Sequence, residues 1–66
     1  MKVIPSYTLN AAVVKEEGAV AVIHQGRELI VSKKENGYGV ATSANPDNVF
    51  VEFKTIKQVK DWFSRA

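Results

Sequence analysis

Few side chains of this protein could do chemistry, and their spacing does not favour catalysis. His24 is the only histidine, and the sequence contains no cysteine. A metal site needs several converging His, Cys or carboxylate ligands, and a nucleophile needs a positioned base beside it. Neither arrangement is visible, so we interpret His24 as a solvated residue beside a hairpin turn. We expect no catalytic residue, no metal ligand and no cofactor.

The carboxylates and glycines support the same conclusion. The seven acidic residues are scattered, without a pair whose environments would raise one pKa and lower the other, as acid–base catalysis requires. Gly26, Gly37 and Gly39 have the positions of hairpin glycines, and no strand-to-helix turn has the spacing of a phosphate-binding loop. The sequence predicts neither an enzyme nor a protein with a small-molecule substrate.

Lysines of the second predicted hairpin and of the start of the predicted C-terminal helix could contact the phosphates of a nucleic acid. They are Lys33, Lys34, Lys54, Lys57 and Lys60. Acidic residues interrupt this set, and a net charge of +2 is far below the concentrated positive field of a dedicated nucleic-acid binder. We favour a solvated surface for these lysines and keep nucleic-acid binding through them as the alternative function.

Three turn signals divide the middle of the chain into strands. They are Gln25-Gly26, Asn36-Gly37 and Asn45-Pro46-Asp47-Asn48. Asn-Gly favours a hairpin because both residues tolerate a positive φ, and proline suits the second position of a type I turn. The sequence predicts a four-stranded antiparallel meander with strands at Ala19 to His24, Glu28 to Lys34, Tyr38 to Ala44 and Val49 to Lys54.

A C-terminal helix is predicted behind the last strand. Thr55 and Gln58 have the spacing of a capping box, in which each side chain accepts a hydrogen bond from the other residue's backbone N–H. Ile56, Val59 and Phe63 then recur at helical spacing. The helix therefore has an apolar stripe that should cover one face of the sheet.

The register of the meander assigns residues to its two faces, because directly opposed residues share a face. The first two-residue loop pairs Val22 with Leu29, and the second pairs Val31 with Thr42. The predicted core face carries Val20, Val22, Leu29, Val31, Val40, Val49, Val51 and Phe53. We expect the C-terminal helix to lie on this face.

The opposite face is predicted to carry mainly small residues. It holds Ala19, Ala21, Ser32, Gly39, Ala41 and Ser43, together with the larger Ile23, Ile30 and Phe50. A flat surface of Ala, Gly and Ser lets another backbone approach closely. The predicted partner-binding residues are the apolar Ile23, Ile30 and Phe50 and, at the margin, the charged Lys34, Glu52 and Lys54.

The segment from Tyr7 to Gly18 is predicted as a short helix. Thr8 or Asn10 could cap its start, and Gly18 stands where a left-handed C-terminal residue belongs. The pair Val13-Val14 would suit a strand instead. This segment either covers the small-residue face, packs beside the C-terminal helix, or leaves that face open for a partner.

Resemblances to known families concern mainly the second half of the chain. The Asn36-Gly37-Tyr38 turn, followed by Phe53-Lys54-Thr55 leading into a helix, is similar to the layout of the DNA-binding domains at the N-termini of phage-type integrases. The element order also resembles double-stranded-RNA-binding domains, whose lysine cluster has no match in Thr55-Ile56-Lys57-Gln58. In size and build the chain resembles accessory proteins of phages and mobile elements, anti-CRISPR inhibitors among them. No functional residue is transferred from these families.

Composition is typical of one small folded domain spanning residues 1–66, with 45% apolar and 24% charged residues. No apolar run approaches the roughly 18 residues of a membrane span, and Met1 to Pro5 lacks the apolar stretch of a secretion signal, so a cytoplasmic protein is expected. The predicted fold is α+β, a four-stranded antiparallel meander with a C-terminal helix on one face. The predicted function is non-enzymatic binding of a protein partner, or formation of a homodimer, through the small-residue face.

Overall fold

The computed structural model describes residues 1–65 and has an α+β fold. Its elements are β1 (Val3–Pro5), a 3₁₀ turn (Ser6–Thr8), α1 (Ala11–Glu17), β2 (Ala19–His24), β3 (Arg27–Lys34), β4 (Gly37–Thr42), β5 (Val51–Phe53) and α2 (Ile56–Arg65). The strands form one five-stranded sheet in the order β1-β2-β3-β4-β5. No helix in this part of the chain is long and apolar enough to cross a membrane.

The predicted four-stranded antiparallel meander is only roughly matched, because a fifth strand makes the sheet mixed. β1 pairs in parallel with β2, in a register that places Val3 beside Ala21 and Pro5 beside Ile23. The other neighbouring strands are antiparallel. Parallel neighbours need a crossover connection, and here α1 supplies it. The N-terminal segment therefore contributes both a strand and a helix.

Both helices begin at the caps that the sequence indicates. At α1 the Asn10 side chain accepts a hydrogen bond from the Val13 N–H (3.0 Å), so Asn10 and not Thr8 is the cap. Gly18 follows the helix with φ = 82°, as predicted. At α2 the capping box is confirmed: Thr55 Oγ1 accepts from the Gln58 N–H (3.2 Å), and Gln58 Oε1 accepts from the Thr55 N–H (3.3 Å).

The predicted register is confirmed for the first hairpin and wrong by two residues for the second. Val22 pairs with Leu29, but Val31 pairs with Val40 instead of Thr42. The turn lies one residue earlier than predicted, so Gly37 belongs to β4. Gly37 is needed there, because a Cβ on it would overlap the Phe53 carbonyl oxygen. A shift of two residues preserves the faces, since side chains alternate with a period of two.

Near β5 the predicted faces of Val49 and Phe50 are wrong. The Phe50 N–H donates to the Val40 carbonyl (3.0 Å), while Val51 is the paired partner of Val40. Two residues thus oppose one, as in a β-bulge, and the alternation of side chains is interrupted before Val51. Val49 consequently packs against Gly39 on the small-residue face, and Phe50 lies beside Trp62.

The main core lies on the face that both helices cover. Its buried residues are Ile4, Leu9, Val14, Val20, Val22, Leu29, Val31, Tyr38, Val40, Val59 and Phe63. The predicted core is confirmed in the β2–β3 hairpin, in Val40 and in α2, and Val51 and Phe53 pack against it half-buried. Val14 of α1 is fully buried in the same cluster, so α1 packs on the core face and does not cover the small-residue face.

Candidate binding surface

Neither helix packs on the sheet face opposite the core, where side chains of β1, β2 and β3 lie. We call this surface the open face and define it by Val3, Pro5, Ala19, Ala21, Ile23, Glu28, Ile30, Ser32 and Lys34, which share one side of the sheet in the observed register. Its small buried cluster of Ala21, Ile30 and Ala41 includes no residue of either helix. The middle of this face is nevertheless buried within the chain, since Ala21 is 2%, Ile30 7% and Ala41 1% exposed.

Two large apolar side chains of the open face remain accessible to a partner. Val3 is 57% exposed and Ile23 is 38% exposed. Ile30, by contrast, is only 7% exposed and lies between Ala21 and Ala41. Of the predicted apolar contacts on this face, Ile23 is thus the accessible one. Val3 was missed because three residues of strand give no periodicity to recognise.

The β4 side of the same face is covered by the chain's own side chains. A Cβ placed on Gly39 would lie 2.9 Å from Val49 Cγ1 and 3.1 Å from Lys34 Cε. Val49 and the aliphatic part of Lys34 therefore occupy the space above Gly39. The accessible part of the surface is limited to β1, β2 and β3.

Phe50 belongs to a different surface from Ile23 and Ile30. It is 51% exposed, and its ring centroid lies 5.9 Å from that of Trp62 on α2. Trp62 also contacts Phe53 (6.2 Å) and Phe63 (5.3 Å). The bulge at Phe50 thus joins this residue to an aromatic cluster on the helix side, away from the small residues.

Charged residues predicted at the margin meet in an open groove of about 770 Å³ at the end of β3, β5 and α2. Lys34, Glu52 and Lys54 all line it. The groove also contains Glu35, Asp61 and Arg65, so three basic side chains face three acidic ones. A groove of balanced charge gives an anion little net attraction.

The five candidate lysines for nucleic-acid binding do not form one patch. The ammonium group of Lys33 lies 5.3 Å from the centre of the Tyr38 ring and donates to the Gly37 carbonyl (3.4 Å). Lys34 and Lys54 line the groove, and Lys60 lines a separate cavity beside His24. Lys57 is exposed on α2. Because these lysines are dispersed, they are poorly placed to contact the phosphates of one nucleic-acid backbone together.

His24 is half-buried, contrary to the expectation of a solvated residue. Its Nδ1 is 2.8 Å from Ser6 Oγ, and its ring centroid is 5.3 Å from that of Phe63. The other ring nitrogen, Nε2, is buried without a hydrogen-bond partner. The nearby cavity of about 310 Å³ includes Ser6, Tyr7 and Lys60. The register explains this placement, since His24 alternates with Val22 and Val20 onto the core face.

Within residues 1–65 no group of three His, Asp or Glu side chains could hold a metal ion. In a nucleophilic site, a third group binds the second ring nitrogen of the histidine base and orients the ring. His24 Nε2 has no such partner. No family model matches the chain, and comparison with the curated proteins and with the solved structures finds no match either.

Proposed function

We propose that this chain is a non-catalytic module that binds a protein partner through the open face. The supporting observation is that α1 and α2 both pack on the core face, so that β1, β2 and β3 expose Val3 and Ile23 on the other side. Contiguous exposed apolar surface on a small domain is typical of an interaction site. An accessory or inhibitor role would act through this surface.

The composition of the open face suits a flat, folded partner. Ala19 and Ser32 pair directly and present no long side chain, so the partner's backbone can come close to the sheet. Glu28 and Lys34 are exposed at opposite ends of β3. An apolar centre with charges at the rim is the usual arrangement of a protein interface.

Addition of a partner strand to an edge is disfavoured. The Ala21 N–H donates to the Lys2 carbonyl (2.9 Å), so the backbone groups of Val3 and Pro5 face outward from β1. Pro5 has no N–H to offer, and prolines on edge strands block pairing with another chain. At the other edge, β5 has only three residues. The face of the sheet is therefore the better candidate than its edges.

A site-specific photo-cross-linking experiment in the source cells tests this proposal. A benzophenone amino acid replaces Ser32 at the centre of the open face, and in a matched control it replaces Lys57 on the exposed side of α2. We expect protein adducts from position 32 and none from position 57. Adducts from position 57 alone, adducts with nucleic acid from either position, or no adduct at all would contradict the proposal.

The experiment must also distinguish protein binding from the alternative function, nucleic-acid binding through the lysines. Nuclease treatment before electrophoresis removes nucleic-acid adducts and leaves protein adducts in place. A gel-shift titration of the purified chain adds a second reading, because phosphate contacts weaken steeply as salt rises. We expect no shifted band at moderate salt.

A further inference from the structure

We propose that Asn36 is a site of spontaneous covalent modification, in which its side-chain amide becomes a carboxyl through a cyclic imide with the backbone of Gly37. Asn36 is exposed in the turn between β3 and β4, and Gly37 is the first residue of β4. The co-reactant is water, and no cofactor is needed. This reaction is independent of the proposed binding function.

The covalent step joins two groups that the chain already holds next to each other. The Gly37 backbone nitrogen attacks the Asn36 Cγ and forms a new carbon–nitrogen bond, the Gly37 N–H loses its proton, and the side-chain nitrogen leaves as ammonia. Water then opens the five-membered ring at either of its two carbonyls. Attack at the side-chain carbonyl gives aspartate, and attack at the backbone carbonyl gives isoaspartate, in which the chain continues through Cγ.

Asn36 is the one asparagine of the sequence that precedes a glycine. The other three asparagines precede alanine, proline and valine. Proline has no N–H to lose, and a Cβ on alanine or valine crowds the attacking nitrogen. The sequence therefore directs the reaction to position 36.

The fold requires the glycine that makes this pair reactive. A Cβ on Gly37 would overlap the Phe53 carbonyl oxygen, and Phe53 is fixed by its pairing with Tyr38. Packing therefore excludes other residues at position 37. A change at Asn36 is the way to remove the reaction without disturbing the contact between β4 and β5.

The closed turn restrains the reaction. Gly37 pairs with Lys34 across the two-residue turn, so its backbone nitrogen is held at the end of the β3–β4 ladder. The Lys33 ammonium donates to the carbonyls of both Lys34 and Gly37 and fastens this last pair. Attack on Asn36 therefore requires local opening of the turn, which costs less free energy at the end of a ladder than in its middle.

Both products change the groove at the end of β3, β5 and α2. Asn36 lines this groove together with three basic and three acidic side chains, so a carboxylate at position 36 gives the groove an excess of negative charge. Isoaspartate also lengthens the backbone of the turn by one carbon, while the Phe53 carbonyl leaves Gly37 no space to shift. The isoaspartate form should therefore lose part of the β4–β5 pairing.

Incubation of the purified full chain at mildly alkaline pH, followed by mass spectrometry of its peptides, tests the proposal. We expect conversion of the Asn36 amide to a carboxyl, at a rate about 10-fold or more higher in the urea-denatured chain. Asn48, which precedes Val49, is the internal control and should stay unchanged. Labelling by an isoaspartate methyltransferase identifies the second product, and Asn36→Ser should remove both products.

The role of Lys33 has its own variant. Lys33→Met keeps the aliphatic part of the side chain but loses both hydrogen bonds, so it should raise the rate in the folded chain about 5-fold, the effect of about one hydrogen bond on the opening equilibrium. The rate in urea should not change. Lys57→Met, at an exposed position on α2, should alter neither rate, and circular dichroism checks that both variants are folded.

Three results would overturn the proposal: a folded chain that stays unmodified while the denatured chain reacts, equal reaction at Asn36 and Asn48, or equal rates in the folded and denatured chains. An unchanged folded rate in Lys33→Met would reject the restraint by Lys33. The isoaspartate form, separated by ion exchange, should unfold at a lower urea concentration than the unmodified chain. Equal midpoints would contradict the loss of β4–β5 pairing.

Discussion

Ser6 Oγ lies 2.8 Å from His24 Nδ1 and joins the turn after β1 to the last residue of β2. The two residues are separated by 18 positions in the sequence. The bond holds the N-terminal strand and turn against a ring that also contacts Phe63 of α2. It therefore connects β1, β2 and the C-terminal helix at one end of the molecule.

The Ser6→Ala substitution should lower the free energy of unfolding by about 1 to 2 kcal/mol, because both ring nitrogens of half-buried His24 would then lack a partner. Urea denaturation followed by circular dichroism measures the change. Ser64→Ala, which removes an exposed hydroxyl on α2, is the matched control and should change stability by less than about 0.5 kcal/mol. Equal midpoints for the two variants would show that the Ser6 bond contributes nothing.

Loss of the capping box should destabilise α2. Thr55→Ala removes the acceptor of the Gln58 N–H and should cost about 1 kcal/mol. Gln58→Ala should have a similar effect, because Gln58 Oε1 accepts from both Lys54 and Thr55 N–H groups. Lys57→Ala, between the two cap residues, should be close to neutral. Thermal or urea unfolding measures these changes. Equal free energies of unfolding for Thr55→Ala and Lys57→Ala would contradict the role of the capping box.

The two glycines of β4 should differ in their response to alanine. A Cβ on Gly37 would overlap the Phe53 carbonyl oxygen. This oxygen belongs to the backbone of β5 and cannot shift without disturbing the β4–β5 pairing. Gly37→Ala should therefore lower the free energy of unfolding by about 3 kcal/mol. The atoms nearest to a Cβ on Gly39 would be side-chain atoms of Val49 and Lys34. Gly39→Ala should therefore cost about 1 kcal/mol.

A double-mutant cycle checks the assignment of Val49 to the small-residue face. Val49→Ala removes the methyl groups that a Gly39 Cβ would meet, so Gly39→Ala should cost less in this background than in the natural chain. Strictly additive unfolding free energies would place Val49 away from Gly39 and contradict the bulge at Phe50.

The first hairpin turn offers a stabilising change. Gln25 has φ = 51° and Gly26 has φ = 76°, as a type I′ turn requires. Asparagine tolerates this conformation better than glutamine, so Gln25→Asn should raise the free energy of unfolding by about 0.5 kcal/mol. Gly26→Ala should lower it by about 1 kcal/mol through backbone strain alone, because no atom lies within 4 Å of its added Cβ. Urea denaturation of both variants tests the pair, and a loss of stability in Gln25→Asn would contradict this description of the turn.

Features set by neighbouring residues could be predicted from the sequence. The Gln25-Gly26 turn defines the β2–β3 register, and the spacing of Thr55 and Gln58 defines the start of α2. The alternation of valines then assigns most of the core face. Each of these signals acts over a few residues, so no knowledge of the tertiary structure is needed.

Features set by distant contacts could not be predicted in this way. Asn36-Gly37 is a strong local turn signal, but the approach of the Phe53 carbonyl requires Gly37 within β4 and moves the turn. The bulge at Phe50 has no signature in the sequence, so the alternation of residues predicts the wrong surface for Phe50. The strand that ends at Pro5 has only three residues, which is too short to show the alternation of apolar and polar side chains that identifies a strand.

Methyl NMR of the purified chain, before and after addition of the protein that cross-links to position 32, tests most directly whether the open face is the binding surface. We predict that the methyl resonances of Val3 and Ile23 shift or broaden when this protein is added, while that of Ala12, exposed on α1, stays constant. Constant resonances for Val3 and Ile23 on this addition, or shifts confined to Ala12 and the indole of Trp62, would contradict the account.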